Sequence, residues 1–173
     1  MPRPRTVVEI GSGPLITGLV SASAWADLLI FSDLLETNRD RIKETLGNIS
    51  SSPDLSSVKL VANWEGISTE DLITRIEKCP KIITGSDLLS PTVLPPSLCL
   101  PHPPAVVIIK LCLEFALTSI TDLAPTMSRL ASIIAPGGFL VILGALGNVT
   151  EIWRDLAHHE EQGVHFFGVR QIF

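Results

Sequence analysis

Three acidic side chains and two glycines have the types and spacing to hold a nucleotide-like ligand. "VVEIGSGPLITG", residues 7–18, places Glu9, Gly11 and Gly13 in an acidic-x-Gly-x-Gly turn after an apolar run. Glycines there let backbone come close to a ligand, and a following helix start would aim free N–H groups at it. Asp33 comes 20 positions after Gly13, behind a second apolar run, where a carboxylate can take both hydroxyls of a ribose. Asp87 follows a third run and suits an adenine amino group. The dinucleotide fingerprint needs a third glycine, but Ile16 stands there, and the Lys-Ser/Thr of a phosphate-gripping P-loop is absent. The turn therefore reads as a nucleoside cradle, with Ile16 arguing against a nicotinamide-dependent Rossmann-like enzyme as the other reading.

Such a cradle needs parallel strands whose carboxyl ends meet. The sequence predicts strands at 6–10, 28–32, 58–62 (short), 81–84, 105–109 and 139–143, apolar runs without alternation, as in strands buried on both faces. Between them it predicts helices. One covers 15–24, with Pro14 in its first turn. Another covers 36–46, closed by Gly47-Asn48. A third covers 69–79, with Ser68 or Thr69 as N-cap, Asp71 in its first turn and Lys78 in its last. A fourth carries Ile120, Leu123, Met127, Leu130, Ala131 and Ile134 at helical spacing. "SSPDLSS" reads as a loop. The six prolines of 90–104 read as an extended connection. A helix over 149–161 and a last strand over 164–167 complete the pattern. Strands alternating with helices indicate an α/β fold with a mainly parallel sheet, here one domain over 1–173.

Bulk properties restrict the function classes. At 46% hydrophobic and 18% charged, the 173 residues can build a core rather than stay disordered. A net charge of −5 leaves no basic footprint for nucleic acid. Cys79, Cys99 and Cys112 are odd in number and lack metal-type spacing, which fits a reducing compartment. No signal-peptide core or run of about 18 apolar residues occurs; the longest candidate is cut by Lys110 and Glu114. The chain reads as cytoplasmic, with no membrane or metal. His158-His159 followed by Glu160-Glu161 reads as a solvated face, Trp25, Trp64 and Trp153 as core or rim, and Cys112 as a buried thiol rather than a nucleophile.

"EIGSGP", "SDLLETNRDRI", "LCLE" and "IAPGGFLVILGAL", in this order, resemble the small-amine N-methyltransferases, which act on phenylethanolamine, nicotinamide and indolethylamine. "DLLETNR", "LCLE" and "GAL" look nearest the phenylethanolamine branch. The resemblance covers residues 6 to about 147. It implies a class I, Rossmann-like fold and S-adenosylmethionine as methyl donor. Gly11, Ser12 and Gly13 match the turn at the cofactor's methionine part, Asp33 the ribose acid, Asn38 an asparagine of the same region, and Asp87 with Leu88 the pair near adenine. Thr17, Leu34 and Lys110 depart from the usual tyrosine, aromatic and small or hydroxyl residues, implying weaker cofactor binding. A lysine beside a sulfonium is unfavourable unless it turns to solvent.

Glu114 matches the acid that contacts the substrate amine, where a carboxylate can hold the amine and help its nitrogen lose a proton; capping a nearby helix is its other role. The second substrate acid falls at Asn148, which can hydrogen-bond an amine but not balance its charge. The family's N-terminal lid helices and C-terminal strand pair have no counterpart, which leads us to expect about five strands and an uncovered edge open to self-association. The implied function is methyl transfer to a small amine; the alternative is a weak or inactive relative acting by binding cofactor or a partner.

Overall fold

The computed structural model describes residues 5–117 and 119–144, together with a short strand at 170–171. Five strands lie parallel: β1 (Thr6–Ile10), β2 (Leu28–Ser32), β3 (Lys81–Thr84), β4 (Val106–Lys110) and β5 (Phe139–Leu143). A two-residue strand, β6 (Arg170–Gln171), pairs antiparallel with Phe139 and Leu140. The order is β3-β2-β1-β4-β5-β6. The chain therefore leaves β1 in opposite directions to β2 and β4, and the crevice at the carboxyl ends of β1 and β4 is the topological switch point, where open α/β sheets bind ligands. The outer side of β5 is met by β6 at two residues rather than left wholly bare, as the five-strand expectation had it.

The alternation of side chains along the strands makes two cores. Val7, Leu29 and Phe31 face one way, against Ile42, Val58, Ala62, Leu72 and Ile76 of α1 (Glu36–Gly47), α2 (Leu55–Glu65) and α3 (Thr69–Lys78). Val8, Ile10, Ile30, Val107 and Ile109 face the other way. They meet Leu113 of the one-turn α4 (Leu113–Ala116) and Leu130 of α5 (Leu123–Ile133). α3 is capped as its sequence predicts, with the Asp71 N–H donating to Ser68 Oγ at 3.0 Å. The proline-rich stretch is tied down: Val93 is buried and its carbonyl accepts from the Asp87 N–H at 2.9 Å.

Two expected elements differ. Residues 58–62 belong to α2, not to a strand, and the preceding "LSS" of the expected loop opens that helix. Val58 and Ala62 are its buried positions, four apart, a helical and not a strand period. The helix expected over 15–24 is instead a series of turns ending in a single 3-10 turn, Ser21–Ala24. The Ile16 N–H donates to the buried Asp54 carboxylate at 2.8 Å, and the Leu19 N–H returns to the Ile16 carbonyl at 3.2 Å. Among the described residues no helix is long and apolar enough to cross a membrane.

Candidate active site

The glycine turn is anchored by β2. The Ser12 N–H donates to the Ser32 carbonyl at 2.9 Å, the Ser32 N–H to Ser12 Oγ at 3.2 Å, and the Ser32 hydroxyl to the Glu9 carbonyl at 2.7 Å. Gly11 and Gly13 take φ of +70° and +64°, the left-handed region that disfavours a side chain. A Cβ on Gly11 would also collide with Cys112 Sγ. The turn therefore needs glycine for conformation at both positions and for space at the first.

Asp33 is the organiser. Its Oδ2 accepts from the Gly13 N–H at 2.8 Å, and its Oδ1 from the Leu35 N–H at 2.9 Å and Asn38 Nδ2 at 3.0 Å. A carboxylate offers about four acceptor positions, so the three donors found among the described residues leave room for a ligand hydroxyl. Arg39 Nη1 clamps the same bend, donating to the Asp33 and Leu34 carbonyls at 2.8 Å each. The Ser86 N–H donates to the Asp33 carbonyl at 3.3 Å, which brings Asp87 to the same edge. Asp87 Oδ1 accepts from the Leu89 N–H at 2.9 Å.

The least expected feature is the pair at the switch point. Glu9 points away from Val8 and Ile10 and is 0% exposed. Lys110, at the end of β4, reaches inward and places Nζ 3.2 Å from Glu9 Oε1, its own side chain 26% exposed. The contact is a charge pairing, since among the described residues no donor makes a directed hydrogen bond to either carboxylate oxygen. Burial pushes the Glu9 carboxyl above the ordinary carboxylate range, and Lys110 opposes that push. Gly18 lies against the carboxylate, where a Cβ would overlap it. Lys110 thus does not simply turn to solvent: a fully buried carboxylate needs a cation, and among the described residues Lys110 is the one paired with it.

Cys112 is held as a thiol at neutral pH. Its ionisation is pushed up to about 11, chiefly by burial, then by the charges of Asp33, Glu114 and Glu9. Glu114 is buried, in α4.

The structure thus brings Gly11, Ser12, Gly13, Asp33, Asn38, Asp87, Lys110 and Glu114 to one edge of the sheet. Asn38 serves there as a brace for Asp33. Thr17 is half-buried in the turns after Gly13. Leu34 is 64% exposed and Leu88 is packed into the second core, while its neighbour Leu89 is exposed. Asn148 lies outside the described residues, as do Trp153, the His158-His159 pair and the segments 149–161 and 164–167. Sequence reasoning missed three supporting residues. Gly18 and Arg39 gave no local signal, and Asp54 acts on a backbone N–H 38 positions away.

Against known sequences, the family profile described as NNMT/PNMT/TEMT matches residues 2–152. The chain belongs to the NNMT/PNMT/TEMT family. It is 28% identical over 145 residues to phenylethanolamine N-methyltransferase of Bos taurus, covering 82% of this chain and 51% of that one. It is 29% identical over 150 residues to nicotinamide N-methyltransferase of Homo sapiens (81% and 53%). It is 30% identical over 146 residues to indolethylamine N-methyltransferase of Oryctolagus cuniculus (79% and 52%). The chain thus spans about half the length of the curated relatives it matches. Among solved structures, an rRNA methyltransferase from Streptomyces viridochromogenes superposes with a TM-score of 0.55 at 18% identity, covering 82% of this chain and 67% of that one. A SAM-dependent methyltransferase from Methanosarcina mazei superposes at 0.50 and 11% identity (92% and 61%). The fold is the class I, Rossmann-like fold of S-adenosylmethionine-dependent methyltransferases.

Proposed function

We propose that the switch-point crevice is an S-adenosylmethionine cradle and that the chain takes part in methyl transfer to the nitrogen of a small amine. One observation carries the reading. Asp33 is tied to the Gly13 N–H at 2.8 Å, so that the glycine turn and the ribose acid form one unit, with an acceptor position to spare. The residues fit the nucleoside half of the cofactor: Asp33 for a ribose hydroxyl, and Asp87 and the exposed Leu34 for adenine. Gly11 to Gly13 and Thr17 would border the methionine half, beside Lys110. When bound, the cofactor supplies a methyl group already activated on a sulfonium, so the protein's part is alignment and exclusion of water more than acid–base power.

Glu114 holds the amine and receives the proton its nitrogen loses. Asn148 would hydrogen-bond the same amine without balancing its charge. The exposed leucines at 15, 34, 89 and 111 and Phe115, mostly in loops at the carboxyl ends of the strands, give a bound ligand apolar cover.

Calorimetry with S-adenosylmethionine, its demethylated product and NAD tests the cradle: heat from the first two and none from NAD is expected, and no heat from the first two refutes it. A labelled-methyl assay on phenylethanolamines, tryptamine and nicotinamide then tests turnover. Glu114→Gln should lower turnover more than cofactor affinity; equal losses argue against its role. A second reading, a weak or non-catalytic member that acts by binding, is favoured by the cation that Lys110 places in the crevice.

A further inference from the structure

Arg129 sits on α5, 41 positions from the loop that carries Asp87, yet its Nη2 donates to the Leu88 carbonyl at 2.8 Å. The same Nη2 donates to the hydroxyl of the fully buried Thr126, three residues back on the helix, at 2.7 Å. The Leu88–Leu89 peptide therefore joins two charged groups. Its carbonyl takes the guanidinium, and its N–H donates to Asp87 Oδ1 at 2.9 Å. A peptide unit is planar, so fixing its carbonyl fixes where its N–H points. A cation on the oxygen also strengthens the bond that the N–H makes. Other restraints on this peptide are weaker. The Ser90 N–H reaches the Asp87 carbonyl only at 3.3 Å, and the Leu89 side chain is exposed. Arg129 Nε is buried without an acceptor among the described residues. A side chain that only filled this space would be apolar and would avoid that desolvation cost.

We propose that Arg129 is a positioning residue for purine recognition: through the Leu88–Leu89 peptide it aims the Asp87 carboxylate so that a 6-amino purine is accepted and a 6-oxo purine refused. The inference rests on the reading above in which Asp87 faces adenine, and adds the residue that aims it. Asp87 is half-buried, with Oδ1 held by the Leu89 N–H, so the carboxylate stays within a ligand's reach. An ionised carboxylate only accepts hydrogen bonds. It gains from an amino group on the purine and is repelled by a carbonyl oxygen in the same place. A carboxylate left to turn into solvent loses both effects.

Calorimetric titration of the whole chain with S-adenosylhomocysteine and with S-inosylhomocysteine, its 6-oxo counterpart, tests this, with circular dichroism checking the fold. The wild type should prefer the 6-amino ligand by at least about tenfold. Arg129→Gln and Arg129→Met should bring the two affinities to within about threefold, by weakening the 6-amino ligand and leaving the 6-oxo one. Amide exchange at Leu89, read by NMR without ligand, should quicken in both variants, and an unchanged rate overturns the link through that peptide. A preference that folded variants keep overturns the inference. So does a parallel loss of both ligands, the mark of a merely structural role. If neither variant folds, Arg129→Lys keeps the charge but is one atom too short for the Leu88 carbonyl. It should lower the preference by at least about threefold, and an unchanged preference there overturns the inference. Asp87→Asn tests the underlying reading with Arg129 in place. A wild-type preference below about threefold, or one that Asp87→Asn leaves intact, refutes Asp87 as the reader of the purine and the inference with it. Failure of both ligands to bind the wild type refutes the cradle itself.

Discussion

Asp33→Asn keeps the size and shape of the side chain but turns one acceptor oxygen into a donor. In the folded chain Oδ2 faces the Gly13 N–H, and Oδ1 faces the Leu35 N–H and Asn38 Nδ2. Whichever way the new amide turns, its NH2 group confronts at least one N–H at about hydrogen-bond distance. One charge-assisted bond is lost, which costs about 1.5–3 kcal/mol. The remaining bonds fall from charged to neutral strength, so roughly 2–4 kcal/mol in all is expected. Asp33 is buried, so solvent screening does not erase the effect. For a domain of this size, 1 kcal/mol moves the melting temperature by about 2–4 °C, and a fall of roughly 5–15 °C should appear in thermal melts followed by circular dichroism. Saturating ligand should not restore it. At 100 times its Kd, S-adenosylmethionine stabilises a binding-competent protein by about 2.7 kcal/mol, and the variant should show little of that gain. Asn38→Ala, which removes one donor and leaves the carboxylate, should cost less and retain ligand stabilisation. A melting temperature for Asp33→Asn within about a degree of wild type would refute the reasoning, because the three bonds would then not be what holds the glycine turn. The result also governs how Asp33→Ala is read, since loss of binding there mixes loss of a ribose contact with loss of the turn.

Gly18→Ala drives a methyl group into the Glu9 carboxylate and should cost about 1–3 kcal/mol by urea unfolding, with partial rescue by Glu9→Ala; a neutral result would mean the two do not touch. Lys110→Met should destabilise the chain more at pH 8 than at pH 4.5. The folded Glu9 carboxyl titrates above its unfolded value, so its contribution is full below the ordinary carboxylate range and is lost as pH rises through the folded value; removing Lys110 deepens that loss. Equal destabilisation at both pH values would contradict the pairing. Under mild alkylation at pH 7.5 the exposed Cys99 should be labelled well before Cys112, whose ionisation is held near 11. Mass spectrometry showing Cys112 labelled first would overturn the picture of a thiol pressed against Gly11.

Strands β1, β2 and β5 are legible from the chain alone, because each is a five-residue apolar run that is buried or half-buried through most of its length. α3 is legible for a different reason, a local cap three residues from its partner. The meeting of Gly13 with Asp33 is legible too, since a glycine turn and an acid about 20 residues on reflect one βαβ-sized step.

What the sequence could not reveal depends on contacts between distant segments. Helical periodicity over 15–24 is real, yet Asp54 captures the Ile16 N–H and Gly18 settles onto Glu9, so the segment forms turns. The glycine turn consequently presents its own backbone and Asp33 to a ligand, without the helix start the sequence had implied. Residues 58–62 satisfy a strand as a string of apolar types, and only packing against α3 makes them a helix. Lys110 shows the same limit at the site. Its position in the chain says nothing of a partner, but β1 and β4 lie side by side and bring Lys110 to the buried Glu9. By itself the sequence determined which residues meet at the carboxyl edge. Tertiary structure decided which way Lys110 turns, because a carboxylate removed from water takes the nearest cation the fold provides.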